Sequence, residues 1–245
     1  MKSYYGELCT KVYESDKSLA EGEELEFYLS FVTRPDMQVL EPMCGNGRLL
    51  IPFMQRGIAI EGFDISEDML KVCREKGRSL GLEPRVDQAK LEEFVSDKSF
   101  DLIVIPFGSF SLLPDELVDQ GLRRLKKALS DQGKLLLTIM VEPHQGEDLA
   151  EWTESGMTQL ANESIRLYKK TRYDAEKAVL FTELKYELVK DDRVLRTEIM
   201  EFPVRFYGID AFKQILERNG FRQVTVHEVE NGYGEGTLFH VFECG

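Results

Sequence analysis

The sequence of 245 residues has few of the residues that build metal sites and disulfide scaffolds. It contains four cysteines and three histidines, and the cysteines are scattered without a C-x-x-C pair or a histidine cluster beside them. Structural zinc sites need four closely spaced ligands of these types, and disulfide frameworks belong to much shorter secreted chains. We therefore expect no metal and no disulfide framework.

Basic residues and long apolar runs are also scarce. There are 31 Lys and Arg residues against 44 Asp and Glu residues, which gives a formal net charge of -13. A surface of that charge repels phosphate backbones, and no long basic run is present to offset it. The first residues have no apolar signal-peptide core, and the longest strongly apolar run, 135–141, is too short to cross a bilayer. We expect a cytoplasmic protein that binds neither nucleic acid nor a membrane.

A strand–loop–helix pattern around residues 39–54 is the most informative part of the sequence. An apolar run ends in Glu41, a short loop carries Gly45 and Gly47, and apolar residues then recur at helical spacing. Glycines let a ligand come close to the backbone, and the start of a helix offers unpaired N–H groups and a positive dipole end. This pattern predicts a ligand-binding loop.

The loop has two other interpretations, a dinucleotide-binding loop and a plain structural turn. A dinucleotide-binding fingerprint reads G-x-G-x-x-G, but its third glycine is replaced by Leu50. A pyrophosphate also has little use for an acid at the end of the first strand. A plain structural turn seldom combines Glu41, Gly45 and Gly47. A nicotinamide-dependent oxidoreductase remains the alternative function at this point.

The loop resembles the first motif of the class I S-adenosylmethionine (SAM)-dependent methyltransferases, an acid followed within a few residues by Gly-x-Gly. Met43 stands where that family usually has glycine. The resemblance implies an α/β fold with a doubly wound, mainly parallel seven-stranded sheet, with SAM as the cofactor. It implies transfer of a methyl group to an N, O or C nucleophile of a small molecule. A protein that binds SAM without catalysis is a second alternative.

Asp64 closes the second predicted strand, at the edge of the sheet where open α/β folds bind ligands. A carboxylate there can accept both hydroxyl protons of a ribose, as the matching acid of the family does, whereas the alternative is a helix-capping acid. In that family an acid after the third strand meets the adenine amino group, and the corresponding position in this sequence is Lys90. The resemblance implies a cofactor site formed by Glu41, Met43, Cys44, Gly45, Asn46, Gly47, Asp64, Ile65, Met69, Ala89, Lys90, Leu91 and Pro106.

The predicted acceptor side is drawn from the loops around that site. His144 follows the strand predicted over 134–141 and is the candidate general base, with a solvated loop histidine as the alternative. Phe107 and Phe110 follow the fourth predicted strand and are candidates for lining a substrate cavity, with a position in the core as the alternative. The remaining candidates for substrate contact are Tyr13, Arg172 and Tyr207.

We expect a single domain over 1–245, with an N-terminal helical cap at 1–34 and a β-meander insertion at 162–207. The insertion is predicted because this segment is rich in Thr, Tyr, Val and alternating charge. In a branch of small-molecule methyltransferases, including amino-sugar N-methyltransferases, similar insertions roof the substrate pocket or build a dimer interface. A homodimer through the insertion is therefore one expectation. Asp210 is expected to cap the last helix.

Overall fold

The computed structural model describes residues 5–143, 148–231 and 235–245. Within these ranges the helices are α1 (Glu7–Asp16), α2 (Gly22–Leu29), α3 (Leu50–Gln55), α4 (Glu67–Ser79), α5 (Asp115–Ala128) and α6 (Ile209–Arg218). The strands are β1 (Gln38–Pro42), β2 (Ala59–Asp64), β3 (Arg85–Gln88), β4 (Phe100–Ile105), β5 (Leu129–Thr138), β6 (Met140–Val141), β7 (Leu149–Gln159), β8 (Ser164–Asp174), β9 (Val179–Lys190), β10 (Arg193–Tyr207), β11 (Thr225–Glu230) and β12 (Leu238–Cys244). None of the described helices is both long and apolar enough to span a bilayer.

The central sheet has seven strands in the order β11-β12-β5-β4-β1-β2-β3. Strands β1 to β5 run parallel to one another, and β12 is antiparallel to both of its neighbours, β5 and β11. The strand order reverses between β1 and β4, which is where open α/β sheets bind ligands at the carboxyl ends of their strands. The predicted fold class, with its single antiparallel strand, is confirmed.

Helices cover both faces of this sheet because its strands are apolar on both sides. Leu40 and Ile103 point to the core cluster formed with α5 and α6, and their neighbours Val39 and Leu102 point to the cluster formed with α2, α3 and α4. Successive side chains of a strand point to opposite faces, so a parallel strand buried on both sides has a continuous apolar run. This two-sided burial fixes the ends of β1 and β2, and hence the position of the loops that follow them.

A second sheet forms the insertion, with five strands in the order β6-β10-β9-β8-β7. Strands β7 to β10 are antiparallel neighbours, and Asp191 and Asp192 make the tight turn between β9 and β10, both with positive φ. The predicted bounds of 162–207 leave out β7. Its sequence, LAEWTESGMTQ, shows no apolar alternation, and most of its residues are exposed.

One face of the insertion sheet packs on the N-terminal helices. Ile165, Tyr186 and Met200 form a small core with Leu8 and Cys9 of α1. The insertion and the N-terminal segment are therefore held together by burial of apolar surface.

The predicted cap of the last helix is wrong. The N-cap of α6 is Gly208, which has no side chain to cap the helix, and Asp210 lies inside the first turn. An acid in the first turn still interacts favourably with the helix dipole.

Candidate active site

The loop over residues 43–48 connects β1 to α3 through three left-handed residues. Met43, Gly45 and Gly47 have φ of 59°, 52° and 75°. A left-handed conformation costs a residue with a Cβ about 1–2 kcal/mol, which explains why glycine suits the position of Met43. Met43 has this conformation although it has a Cβ. Its side chain packs against the core and lines the adjoining cavity.

The two glycines of the loop face different surroundings. A Cβ on Gly45 would meet no atom within 4 Å, and Gly45 lines the cavity. A Cβ on Gly47 would lie 2.5 Å from Sγ of Cys73 in α4, and Gly47 is not part of the cavity wall. Gly45 therefore lets a ligand approach the backbone, whereas Gly47 lets the loop pack closely on α4. Sequence reasoning assigned the first role to both.

Asp64 holds the loop from the end of the neighbouring strand. Its Oδ2 accepts a hydrogen bond from the Gly45 N–H at 2.9 Å, and its Oδ1 accepts one from the Ser66 N–H at 2.8 Å. Burial raises the pKa of Asp64, and these backbone N–H groups oppose the rise. The capping residue of α4 is Ser66, which accepts from the Met69 N–H at 3.2 Å, so the capping alternative for Asp64 is wrong.

Glu41 is a buried carboxylate that lacks a counter-ion in direct contact. It is 2% exposed and takes a hydrogen bond from the Leu50 backbone, but no described residue provides a partner for its Oε2. Burial raises its pKa well above the usual value, the charge of Arg48 opposes this, and the charge of Glu24 adds to it. A buried carboxylate oxygen without a partner is costly, so the site is suited to a cationic ligand.

The nearest guanidinium is already paired. Nη1 of Arg48 lies 2.7 Å from Oε1 of Glu24, a fully buried carboxylate in α2, and the Arg48 guanidinium also lies 4.8 Å from the centre of the Phe107 ring. The charge of Arg48 thus lowers the electrostatic cost of ionising Glu41.

A cavity of about 350 Å³ opens at the carboxyl ends of β1, β2 and β4. Every residue predicted for cofactor binding lines it except Gly47. Apolar side chains dominate the wall beyond Asp64, among them Ile65, Met69 and Leu91. Lys90, which stands where the family has its adenine-binding acid, places its ammonium group 2.6 Å from Oε1 of Glu93.

The predicted acceptor residues are divided between the cavity and other places. Tyr13 and Phe107 line the cavity. Phe110 and Tyr207 are buried in the core against Phe212, with ring centres 5.7 and 4.9 Å apart, so the core alternative for Phe110 holds. Arg172 lines a second cavity in the insertion. His144 lies outside the described residues.

Sequence reasoning missed a further part of the cavity wall. Strand β10 contributes Met200, Glu201, Phe202 and Pro203, and the N-terminal segment contributes Tyr5. These residues are far from the loop in sequence, and only the packing of the insertion on α1 brings them to the site. No pattern in the sequence marks them.

Hydrogen bonds connect the N-terminal segment to the loop over residues 43–48 and to the start of α4. The Asn46 side chain donates to Oε2 of Glu14 at 2.6 Å, and the Ala20 N–H donates to the Arg48 carbonyl at 2.8 Å. The Ser66 hydroxyl donates to the carbonyl of Tyr5 at 2.8 Å. The cavity is therefore closed on one side by residues 5–20.

Comparison with known proteins supports the interpretation of this site. Residues 39–133 match the family model described as "Methyltransferase domain". This part of the chain is similar to a methyltransferase domain. The matched range includes the loop, Asp64 and the strands β1 to β4, and it agrees with the predicted family, enzyme class and cofactor.

Relatives and solved structures agree with this domain. A putative methyltransferase of Geobacillus sp. strain WCH70 is 28% identical over 103 residues, which are 42% of this chain and 42% of the relative. The chain thus matches less than half the length of that curated relative. An S-adenosylmethionine-dependent methyltransferase from Clostridium acetobutylicum has a similar structure, with a TM-score of 0.73, 15% identity and 96% of each chain covered.

The insertion also has a counterpart among solved structures. The sugar N-methyltransferase KedS8 from Streptoalloteichus sp. is similar over 100% of this chain and 93% of its own, with a TM-score of 0.73 and 15% identity. At this level of identity the similarity shows the fold, and the alignment includes the part of the chain that forms the second sheet.

Proposed function

We propose that this chain is a SAM-dependent methyltransferase that methylates an amine of a small molecule. The observation that carries the proposal is the buried Oε2 of Glu41, which has no hydrogen-bond partner in the part of the chain that the structure describes. Glu41, at the end of β1, lines the same cavity as Asp64 at the end of β2. One carboxylate suits an ammonium group and the other suits a pair of hydroxyls. SAM has both features.

The residues around the cavity fit this cofactor. Glu41 would accept from its amino group, Asp64 from its ribose hydroxyls, and Gly45 would let it approach the backbone. The apolar wall at Ile65, Leu91 and neighbouring side chains would cover its adenine. When bound, SAM supplies a methyl group activated on a sulfonium.

The chain itself contributes position and an environment that excludes water. Burial raises the pKa of Tyr13 to about 12, so its hydroxyl keeps its proton at neutral pH and serves as a donor, not as a base. Among the described residues no histidine lines the cavity. A neutral amine needs little help from a base to act as a nucleophile.

The charges of the cavity also favour an amine. Four carboxylates line it, and its two basic side chains already have carboxylate partners, Glu24 and Glu93. The carboxylates are Glu41, Asp64, Glu92 and Glu201. An acidic cavity attracts the cationic cofactor and an amine that enters as an ammonium, and its carboxylates can accept the proton that the ammonium loses before methyl transfer. The similarity to a sugar N-methyltransferase gives further support for an amino group as the acceptor.

Calorimetry and a turnover assay test this function. We expect SAM and S-adenosylhomocysteine to bind and NADH not to bind. S-adenosylhomocysteine should be released with a panel of small amines and not with the matching alcohols. Binding of NADH in place of SAM would favour an oxidoreductase. Binding of SAM without turnover on any amine or alcohol would favour a non-catalytic SAM-binding protein.

Glu41→Gln is the matched variant for this test. It keeps the shape of the side chain and removes its charge, so the affinity for SAM should fall about 10- to 150-fold, the equivalent of a charge-assisted hydrogen bond of about 1.5–3 kcal/mol. Glu83→Gln, at an exposed position away from the cavity, is the control and should bind SAM as the wild type does.

A further inference from the structure

A second cavity, of about 500 Å³, lies in the insertion sheet next to the first. The two cavities share Glu201, Phe202 and Pro203 of β10, so a single strand separates them. The rest of its wall comes from the start of β7 and from β8 and β9. A molecule that reaches over β10 can therefore occupy both.

The wall of the second cavity carries two cations that face away from α1. Lys170 and Arg172 lie two residues apart in β8, so they share one face and are about 6.6 Å apart along the strand. Ile165 and Leu167 are at odd-numbered positions of the same strand, so their side chains point to the other face, where they pack in the core with α1. Both cations thus belong to the open face of the sheet.

These cations are held by aromatic rings instead of carboxylates. Nζ of Lys170 lies 4.9 Å from the centre of the Trp152 ring, and the Arg172 guanidinium lies 4.8 Å from that of Phe181. Within the described ranges neither has an ion-pair partner, although Glu183 also lines the cavity. In a chain of net charge -13, two adjacent cations whose contacts within the described ranges are aromatic rings form a local site for an anion.

We infer that this second cavity binds the non-reacting part of the methyl acceptor and that this part carries an anionic group on an aromatic ring. The inference rests on the proposed methyl transfer, since the amine must enter the first cavity. The exposed Phe181 ring and Pro203, which lies directly opposite Phe181 on β10, give the ring a surface to stack on. Lys170 and Arg172 bind the anionic group. Glu183 and Glu201 restrict the site to a small anion and disfavour a polyanion.

Trp152 is the single tryptophan of the chain and its ring lies against Lys170, so its fluorescence reports on binding at that lysine. The test is a titration of the full chain with phenyl phosphate, with phenol as the uncharged ring and inorganic phosphate as the anion without a ring. Each titration is run with and without S-adenosylhomocysteine. We expect phenyl phosphate to change the Trp152 emission at lower concentration than either of the other two probes.

Two charge-removing variants and one control complete the experiment. Lys170→Gln and Arg172→Gln should each raise the dissociation constant for phenyl phosphate about tenfold, whereas Arg193→Gln, at an exposed position outside the cavity, should leave it unchanged. Equal binding of phenol, equal binding of inorganic phosphate, or no effect of the two variants would overturn the inference. The titration requires no turnover, and calorimetry with SAM on the same variants shows separately whether the proposed function holds.

Discussion

The carboxylate of Asp64 accepts a hydrogen bond from the backbone N–H of Gly45, at 2.9 Å. This bond joins the end of β2 to the loop after β1, so the acid that we propose binds the ribose also fixes the glycine that we propose admits the cofactor. The two features that suggested a nucleoside site in the sequence are therefore one structural unit.

Asp64→Ala should weaken SAM binding about 10- to 150-fold, because it removes a charge-assisted acceptor worth about 1.5–3 kcal/mol. Asp64→Asn should have a smaller effect, since the amide oxygen can still accept one hydrogen bond. Calorimetry with SAM and 2′-deoxy-SAM checks this. If the deoxy cofactor loses the same affinity on the wild type and on Asp64→Ala, Asp64 does not bind the ribose and only supports the loop.

Gly45→Ala should weaken SAM binding strongly, because its methyl group would enter the open cavity. Gly81→Ala is the matched control. Gly81 has φ of 72° and open space around a Cβ, so it has the same backbone strain but is not part of the cavity. Both variants should lose about 1–2 kcal/mol of unfolding free energy, and only Gly45→Ala should lose cofactor affinity. Equal affinities in the two variants would contradict the role of Gly45.

Gly47→Ala should reduce stability, because its Cβ would lie 2.5 Å from Sγ of Cys73. Cys73→Ala in the same chain removes that sulfur and should restore part of the lost stability. Urea denaturation of both variants and of the double variant measures the coupling between the two residues. Strict additivity would show that Gly47 is required only for its φ of 75°.

The stability of the cofactor-free protein should depend on pH through Glu41. Burial raises its pKa in the folded state above the unfolded value, so the folded protein binds the proton more tightly. The contribution of Glu41 to stability is therefore present at low pH and is lost as pH rises through the folded pKa. Between about pH 5 and pH 8, the free energy of unfolding should fall less in Glu41→Gln than in the wild type. Parallel urea-unfolding curves for the two proteins across this range would contradict the assignment.

Glu24→Ala should cost about 3–5 kcal/mol of unfolding free energy, because Arg48 then loses a fully buried carboxylate partner. Asp210→Ala is the control, since the ion pair of Asp210 with Lys213 is exposed and such pairs contribute at most about 1 kcal/mol. The double variant Glu24→Leu/Arg48→Met should recover much of the loss. A cost for Glu24→Ala no larger than that of the control would show that the buried pair does not stabilise the fold.

The part of the molecule that sequence predicts well is the part where local pattern and function coincide. Glu41, the loop glycines and Asp64 follow apolar strands with clear ends, and all but Gly47 were placed at the cavity. The packing role of Gly47 against α4 cannot be predicted from sequence. It depends on the backbone conformation, which decides where a Cβ would point, and on the position of α4 in the folded chain.

The acceptor side was predicted less well for a physical reason. Phe110 and Tyr207 are aromatic residues after strands, and sequence does not distinguish a cavity wall from a core layer at such positions. Met200 to Pro203 reach the cavity only because the insertion folds onto α1, which is a contact between distant segments. Strand β7 was missed because an exposed strand has no apolar alternation to reveal it.

The contacts between residues 5–20 and the loop also have a kinetic consequence. They are hydrogen bonds, such as those from Asn46 to Glu14 and from Ser66 to Tyr5, whereas the apolar contacts of α1 are with the insertion. Residues 5–20 can therefore separate from the loop together with the insertion, at a lower free energy than the central sheet needs to unfold. Exchange of bound cofactor would then be limited by detachment of the segment. We expect release to be slow compared with diffusion and to become faster when these bonds are removed, while the chemical step keeps its rate.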